Sequence, residues 1–521
     1  MRKELGYPSL GDVVKYVFRA SGTMPRKGAH GNNNIFSEEE KKSIQKKLQR
    51  LAAEEGELEN NLYESFAAAS QLLSEVLTCP ITASQIEDII NDLYECYYDL
   101  IKEKGTLMSK PDTVRYFVTA YGVDVGVRSL TLSWLKWRPH YPCTITPDKE
   151  FWYLPAEKHG GVTWPLSHAL KWAYDVVGVS QTRFHQPHGI GTDYHLDNNL
   201  KCAKSWTSGQ AIPSMFVLKK NLDDSFQALS DNGIFVENSK RNNIITVVSL
   251  SRISTMIAKD IEHYYGTDFL FDVIAQIKKY VSWIQEEIIE YDHELQKHAT
   301  FMNKPSKQYH QLRWKILAGF WGHFEAKKTS AQKLINEHMG DDHKVNPGII
   351  NWLEKRYGPY SALVPIDSQN RSNADKPERF EDIVEDALKM LNDSASINDS
   401  LTIICDEIRL HQIDKHAPWL IPWLQGASCY WSGHYGDAFH YYQEAYTLAK
   451  YSAGNYQYRL LNQYLEVAAK TGRWRDFKKA ANWASYLNFP IRWLREDEPN
   501  DENLRSVYNL LGNPKLKYAR L

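Results

Sequence analysis

The sequence predicts a mainly α-helical, multi-domain protein, and three observations predict it. Apolar residues recur at helical spacing over most of the chain, with capping boxes ahead of two such stretches. Only residues 234–250 read as a strand pair. Residues 380–521 contain a helical pattern that occurs twice. At 521 residues the chain exceeds what one hydrophobic core supports, so several domains are expected.

Residues 9–20 (SLGDVVKYVFRA) carry helical periodicity that Gly22 and Pro25 end, and the loop 22–34 is basic and rich in glycine and asparagine. Ser37 and Glu40 form an S-x-x-E box that opens a helix reaching about residue 54. Apolar positions continue from Leu62 to Leu77. Thr82 and Gln85 form a second box, with Ile86, Ile89, Ile90, Leu93 and Tyr97 on one face. This helical region is taken as 1–150, because prolines and a Gly-Gly pair break the pattern between 139 and 165. A second region spans 151–230. A third, 231–365, opens with a small β-hairpin: IFVEN (234–238), a turn at 239–242, then NIITVVSL (243–250). Long amphipathic helices follow over 255–345. Residues 365–379, polar and poor in large apolar side chains, read as a linker to the fourth region, 380–521.

In that last region GHYGDAFHYYQEAYTLAK (433–450) superimposes on GRWRDFKKAANWASYL (472–487). Gly433 matches Gly472, Tyr435 matches Trp474 and Ala445 matches Ala484. A helix ends near each glycine, an aromatic covers the turn, and small residues admit the neighbouring helix. The pattern resembles tetratricopeptide (TPR) repeats, in a longer-period form whose second copy carries Phe477 where the first has Ala438. The resemblance implies a TPR-like helical array that offers a surface to a protein or peptide, with further helices from 380–430 stacked on it.

In the second region LSHALKWAYDVVGVSQTRFH (166–185) places a helix that closes at Gly178, then Val-Ser-Gln and a new helix start. After the insertion HQPHGIGTDYHLD (185–197) comes WTSGQAIPS (206–214), which precedes MFVLKKNLDDSF (215–226). The order resembles the helix-turn-helix domain of Xre/Cro/CI-type regulators. There a Trp ends the recognition helix, a Gly turns the chain and Pro-Ser starts the next helix. Each residue type has a reason: Gly209 accepts φ > 0, Pro213 and Ser214 suit a helix start, and Trp206 plugs the small core. The resemblance implies a recognition helix from about Asn199 to Trp206, with Lys201, Lys204 and Ser205 toward the major groove. It also implies that Gln181, at the second helix's start, anchors a phosphate. The insertion lengthens the turn between the two helices beyond the family's pattern.

Two other basic features would assist such binding: Lys240 and Arg241 at the expected hairpin tip, and Arg26 and Lys27 in the N-terminal loop. Arg313, Trp314 and Lys315 lie in an amphipathic stretch whose aromatic face is expected in the core. His185, His188, His195 and Cys202 are zinc-type ligands at a spacing that fits no compact zinc motif, so the expectation is a His-rich surface loop and no metal. In DHELQKH (292–298) the histidines are five apart, which turns them onto different helix faces, unlike HExxH. No phosphate loop, dinucleotide fingerprint or GxSxG elbow is present, so no catalytic residue and no cofactor is assigned and a non-enzyme is favoured.

Composition narrows the partners. A net charge of −2 demands no polyanion globally, so nucleic-acid contact must come from a local patch. The 16 Trp and 31 Tyr are expected as ring-filled helix interfaces. Six scattered cysteines, no signal-peptide pattern at the start and no long apolar run point to the cytoplasm and away from membranes. The expected function is a DNA-binding regulator whose TPR-like array engages a protein or peptide. The alternatives are a helical scaffold or adaptor without DNA binding, and a helical effector of a bacterial defence or toxin system with an assembled active site.

Overall fold

The structure, a computed structural model, describes residues 5–23, 38–127, 130, 146–147, 151–299, scattered positions between 311 and 337, 347–357, 379–494 and 499–515, apart from 78, 107, 159–160 and 392–393. Arg26, Lys27, residues 365–378 of the expected linker, Arg313 and Trp314 lie outside them. The described chain is mainly α-helical. In order come α1 (Leu10–Ser21), α2 (Glu38–Ala53), α3 (Leu58–Leu77), α4 (Pro80–Asp99) and α5 (Lys110–Phe117), then strands β1 (Ala156–Lys158) and β2 (Gly161–Thr163). Next are α6 (Pro165–Val177), α7 (Gln181–His185), α8 (Tyr194–Thr207), α9 (Met215–Asp231), α10 (Asn238–Tyr265), α11 (Thr267–Ala299) and α12 (Pro347–Tyr357). The last group is α13 (Phe380–Met390), α14 (Ser394–Leu410), α15 (Leu420–Trp431), α16 (Tyr435–Ala449), α17 (Tyr456–Lys470), α18 (Trp474–Tyr486) and α19 (Asp501–Leu511).

The chain divides into two compact units. The first comprises Met1–Glu75, Ile90–Val114 and Ala374–Leu521, the second Val76–Ile89 and Arg115–Asn373.

In the first unit, consecutive helices from α13 to α18 pack on one another, and α19 packs on α17 and α18. Gly433 (φ 81°) and Gly472 (φ 73°) take the left-handed conformation that turns α15 into α16 and α17 into α18. Small residues do what the repeat pattern predicts: Ala438, Ala445, Ala480 and Ala484 are buried. Phe477, the departure in the second copy, is buried too, stacked on Trp474 and edge-on to Tyr508 of α19. The extra helix thus covers the larger ring. α17 is buried almost all round and carries Gln457, Asn462, Gln463 and Glu466 inside. Each has partners: Trp483 Nε1 donates to Gln457 Oε1 (3.1 Å), Trp423 Nε1 to Gln463 Oε1 (2.6 Å), and Asn462 bridges Pro490 O and Arg492 N. Glu466 accepts from Tyr430 Oη and lies 3.4 Å from Lys470 Nζ.

The same unit includes the first helices. Leu10, Val14 and Phe18 of α1 and Leu51 of α2 are buried, and Gly11 lets the two backbones approach closely. Tyr7 N donates to Tyr451 O (2.9 Å), Gly6 N to Met108 O (3.1 Å), and Leu5 bridges Ser109. Leu10 N donates to Tyr451 Oη (3.3 Å), which in turn donates to Glu54 Oε1 (2.6 Å).

The core of the second unit forms around α11, where Phe269, Leu270, Val273, Tyr280, Trp283 and Ile284 meet Val123, Leu154, Trp164, Ile261 and Leu353. The expected hairpin at 234–250 is not there. Residues 238–250 are the first half of the 28-residue α10, and the two-stranded sheet is instead the antiparallel pair β1–β2. Asn243 through Ser249 are all buried, so the β-branched run is a helix enclosed on every side rather than a half-exposed strand.

Candidate nucleic-acid interface

Helices α6 to α10 build one small module, and its construction explains which surface it presents. Trp164 leads into α6, Pro165 sits at the first helical position, and Leu166 N donates to Thr255 Oγ1 of α10 (2.9 Å), which satisfies an otherwise orphaned amide. Gly178 closes α6 in the left-handed conformation (φ 77°) and Ser180 caps α7 through Arg183 N. The five-residue α7 is an anchor. Phe184 is fully buried, edge-on to Phe226 of α9, and packs against Tyr174 of α6.

His185 follows it into the core. Its Nδ1 lies 2.8 Å from Ser225 Oγ and its Nε2 lies 3.0 Å from Tyr174 Oη. Burial pushes its pKa down to about 3 and that of Tyr174 up to about 12, so both are neutral at physiological pH. The remaining zinc-type side chains are not gathered around it. His195 sits on α8 against Asp224 (2.7 Å), and His188 is exposed. Among the described residues no three His, Cys, Asp or Glu side chains converge as a metal site.

The insertion becomes a wired turn. Gln186 caps the end of α7 from a buried position, and its Nε2 donates to Asp193 O (3.1 Å) and Asp197 Oδ1 (3.0 Å). Asp193 caps α8 by accepting from His195 N and Leu196 N. Helix α8 therefore begins at Tyr194, five residues before the expected start at Asn199. Its inner face (Leu196, Asn199, Leu200, Ala203 and Trp206) is buried, with Asn221 Nδ2 of α9 donating to Asn199 O (3.0 Å).

The outer face is open. Tyr194, Asn198 and Lys201 are exposed and Ser205 is half-buried along one stripe, with exposed Lys204 beside it. No ion pair engages Lys201 or Lys204 among the described residues. The other expected contacts are placed differently. Gln181 Nε2 donates to Thr207 Oγ1 (3.0 Å) and Tyr174 Oη (3.4 Å), tying α7 to both neighbours. Lys240 and Arg241 sit in the first turn of α10, not at a hairpin tip. Arg241 pairs with Asp223 (2.7 Å) and lies over the Phe226 ring. Tyr194 and Asn198 were missed because the helix was expected to start later; the Thr192-Asp193 pair ahead of YHLDNN was the available signal.

The exit turn WTSGQAIPS is part of the fold. Trp206 is buried in the module, Gly209 takes φ 76°, and Ser214 caps α9 through Val217 N. Arg252 Nε donates to Pro213 O (2.9 Å) from a buried position, and Lys259 donates to Gly209 O while lying over the Trp164 ring. No family model matches the chain, and no curated protein or solved structure matches it either. The fold itself defines the class, a mainly α-helical, multi-domain protein. Among the described residues no helix is long and apolar enough to cross a membrane.

Proposed function

We propose that the protein is a DNA-binding regulator that reads duplex DNA with α8, and that its C-terminal helical array receives a protein or peptide partner. One observation carries the first part: Lys201 on the outer stripe of α8 and Lys204 beside it are open to solvent, while the opposite face is locked into the module. A helix held this way offers polar and cationic side chains to a groove without first having to order itself. Gln181 serves as a brace between α6 and α8 in this reading. The array supports the second part by stacking helices in the manner that exposes extended surfaces.

Binding of the full chain to random and genomic duplexes over a salt series tests the reading. Affinity is expected to fall steeply with salt, and Lys201→Ala with Lys204→Ala to flatten the slope by about two charges. Absence of binding at low salt, or an unchanged double variant, overturns it. A scaffold without DNA binding is the second reading. It is favoured by the internal engagement of Gln181 and Arg241, two of the six side chains first assigned to DNA.

A further inference from the structure

In α14, within the first unit, Asp399, Ile403, Asp406 and Leu410 follow one another at steps of four, three and four, so they share one stripe about 16 Å long. All four are exposed, and Ile404, Cys405 and Ile408 on the other side are buried. Ile403 is 69% and Leu410 78% exposed, more than any other large apolar side chain among the described residues of the array. Apolar residues seven apart on a helix, with carboxylates between them, make a seam that suits a second helix. The surroundings set the charge which that helix must bring. Residues 380–410 hold eight carboxylates against two cations, and Asp382, Glu385 and Asp386 are exposed on neighbouring α13. Arg409 pairs with Asp406 (3.2 Å) at the edge of the stripe.

The complementary stripe lies on α2, in the same unit. Lys42, Lys46 and Gln49 follow at steps of four and three, all exposed, with exposed Arg50 beside them. Residues 41–50 hold five cations and no carboxylate. Lys47 is turned to Glu64 of α3 (2.5 Å), whereas among the described residues no ion pair engages Lys42, Lys46 or Arg50. Ile44 and Leu51 on the opposite side are buried, so the stripe stands on a packed helix. Lysine stems can lie along Ile403 and Leu410 while their ammonium groups reach Asp399 and Asp406. The acidic face is unsuited to its own image in another copy, because carboxylates would meet carboxylates. A net charge of −2 adds little repulsion between whole chains.

We propose that the α14 face of one copy of the chain receives the α2 stripe of a second copy, in a head-to-tail contact. Both stripes are exposed in a single chain, so each copy offers one face of each kind, and copies close into a ring or add in a row. One helix against one helix covers less area than a tight dimer needs, so the association is weak, reversible and sensitive to salt. It goes beyond the reading given above and holds whether or not α8 binds DNA.

Sedimentation velocity of the full chain over a dilution series tests this. At low salt the mean sedimentation coefficient is expected to rise with concentration above that of the monomer, and at about 1 M salt to return to it. Asp399→Lys with Asp406→Lys, and separately Lys42→Ala with Lys46→Ala, are each expected to weaken association roughly tenfold or more. Mixed in equal amounts, the two variants should form dimers and nothing larger, because each keeps the face that the other lacks. Ile403→Ser with Leu410→Ser should weaken association without changing its salt dependence. All these side chains are exposed, so an unshifted unfolding midpoint is expected in each variant and checks that it folds. A wild-type chain that stays monomeric at low salt overturns the inference. So does association that either charge variant leaves unchanged, or mixing that restores no dimer. No arm reads duplex binding, so the reading of α8 stands or falls separately.

Discussion

Gly209 and Trp164 meet so closely that a β-carbon on residue 209 would stand 2.7 Å from Cδ1 of the indole. The glycine also holds φ 76°, and Lys259 reaches over the same ring to its carbonyl. A turn that looks like mere punctuation in the sequence is a packed joint between α8, α10 and the lead-in to α6. Gly209→Ala is therefore expected to destabilise the module by roughly 1–3 kcal/mol, through strain in the left-handed region and displacement of the indole. Urea unfolding of the full chain checks this; an unshifted midpoint would show that the joint yields freely.

The module is expected to lose stability in acid through His185. Its folded-state pKa is depressed to about 3, against about 6.5 for an unperturbed imidazole. The unfolded chain thus binds a proton that the folded one refuses. The contribution is complete above pH 6.5 and is lost as pH falls toward 3, at up to about 1.4 kcal/mol per pH unit. His185→Gln keeps hydrogen-bonding capacity without the titration. It should flatten the dependence between pH 6.5 and 4, and an identical dependence in the variant would assign the acid lability to other groups.

In the helical array the sensitive position is Glu466, buried in the C-terminal half of α17. Glu466→Ala removes the acceptor of Tyr430 and the charge facing Lys470, and is expected to cost about 3–5 kcal/mol. Glu466→Gln retains an acceptor for Tyr430 and should cost less. Calorimetry on the two variants decides: equal losses would mean that the charge, not the hydrogen bond, sets the effect.

Charge reversal on the open stripe should separate binding from folding. Lys201→Glu with Lys204→Glu is expected to abolish duplex binding while moving the unfolding midpoint by less than about 0.5 kcal/mol equivalent, since both side chains are exposed. A large loss of stability would instead make these lysines structural.

Local chemistry was legible in the sequence where a single residue type has one strong conformational use. Gly178, Gly209, Gly433 and Gly472 all take positive φ, Ser214 caps α9, and Trp206 lies in the core. The strand pair expected at 234–250 is absent because β-branched composition signals burial and pleat alike, and only the three-dimensional surroundings decide between them. The start of α8 was obscured by the glycines of the insertion, whose order comes from Asp197 and Gln186 rather than from local propensity. Arg241 looked available for a ligand because its partner Asp223 is 18 residues away, on a different helix. The packing of residues 5–7 beside Tyr451 left no trace in any local pattern.

That last packing has a consequence for biosynthesis. Leu10 and Tyr451, joined by a hydrogen bond, are 441 positions apart. At about 5–20 residues per second, α1 emerges from the ribosome roughly 20 to 90 s before the helix end it must meet. During that interval α1 has only α2 to pack on, while the part of its surface that meets Tyr451 waits. The surface that Tyr451 gives to α1 is therefore completed only as translation nears its end.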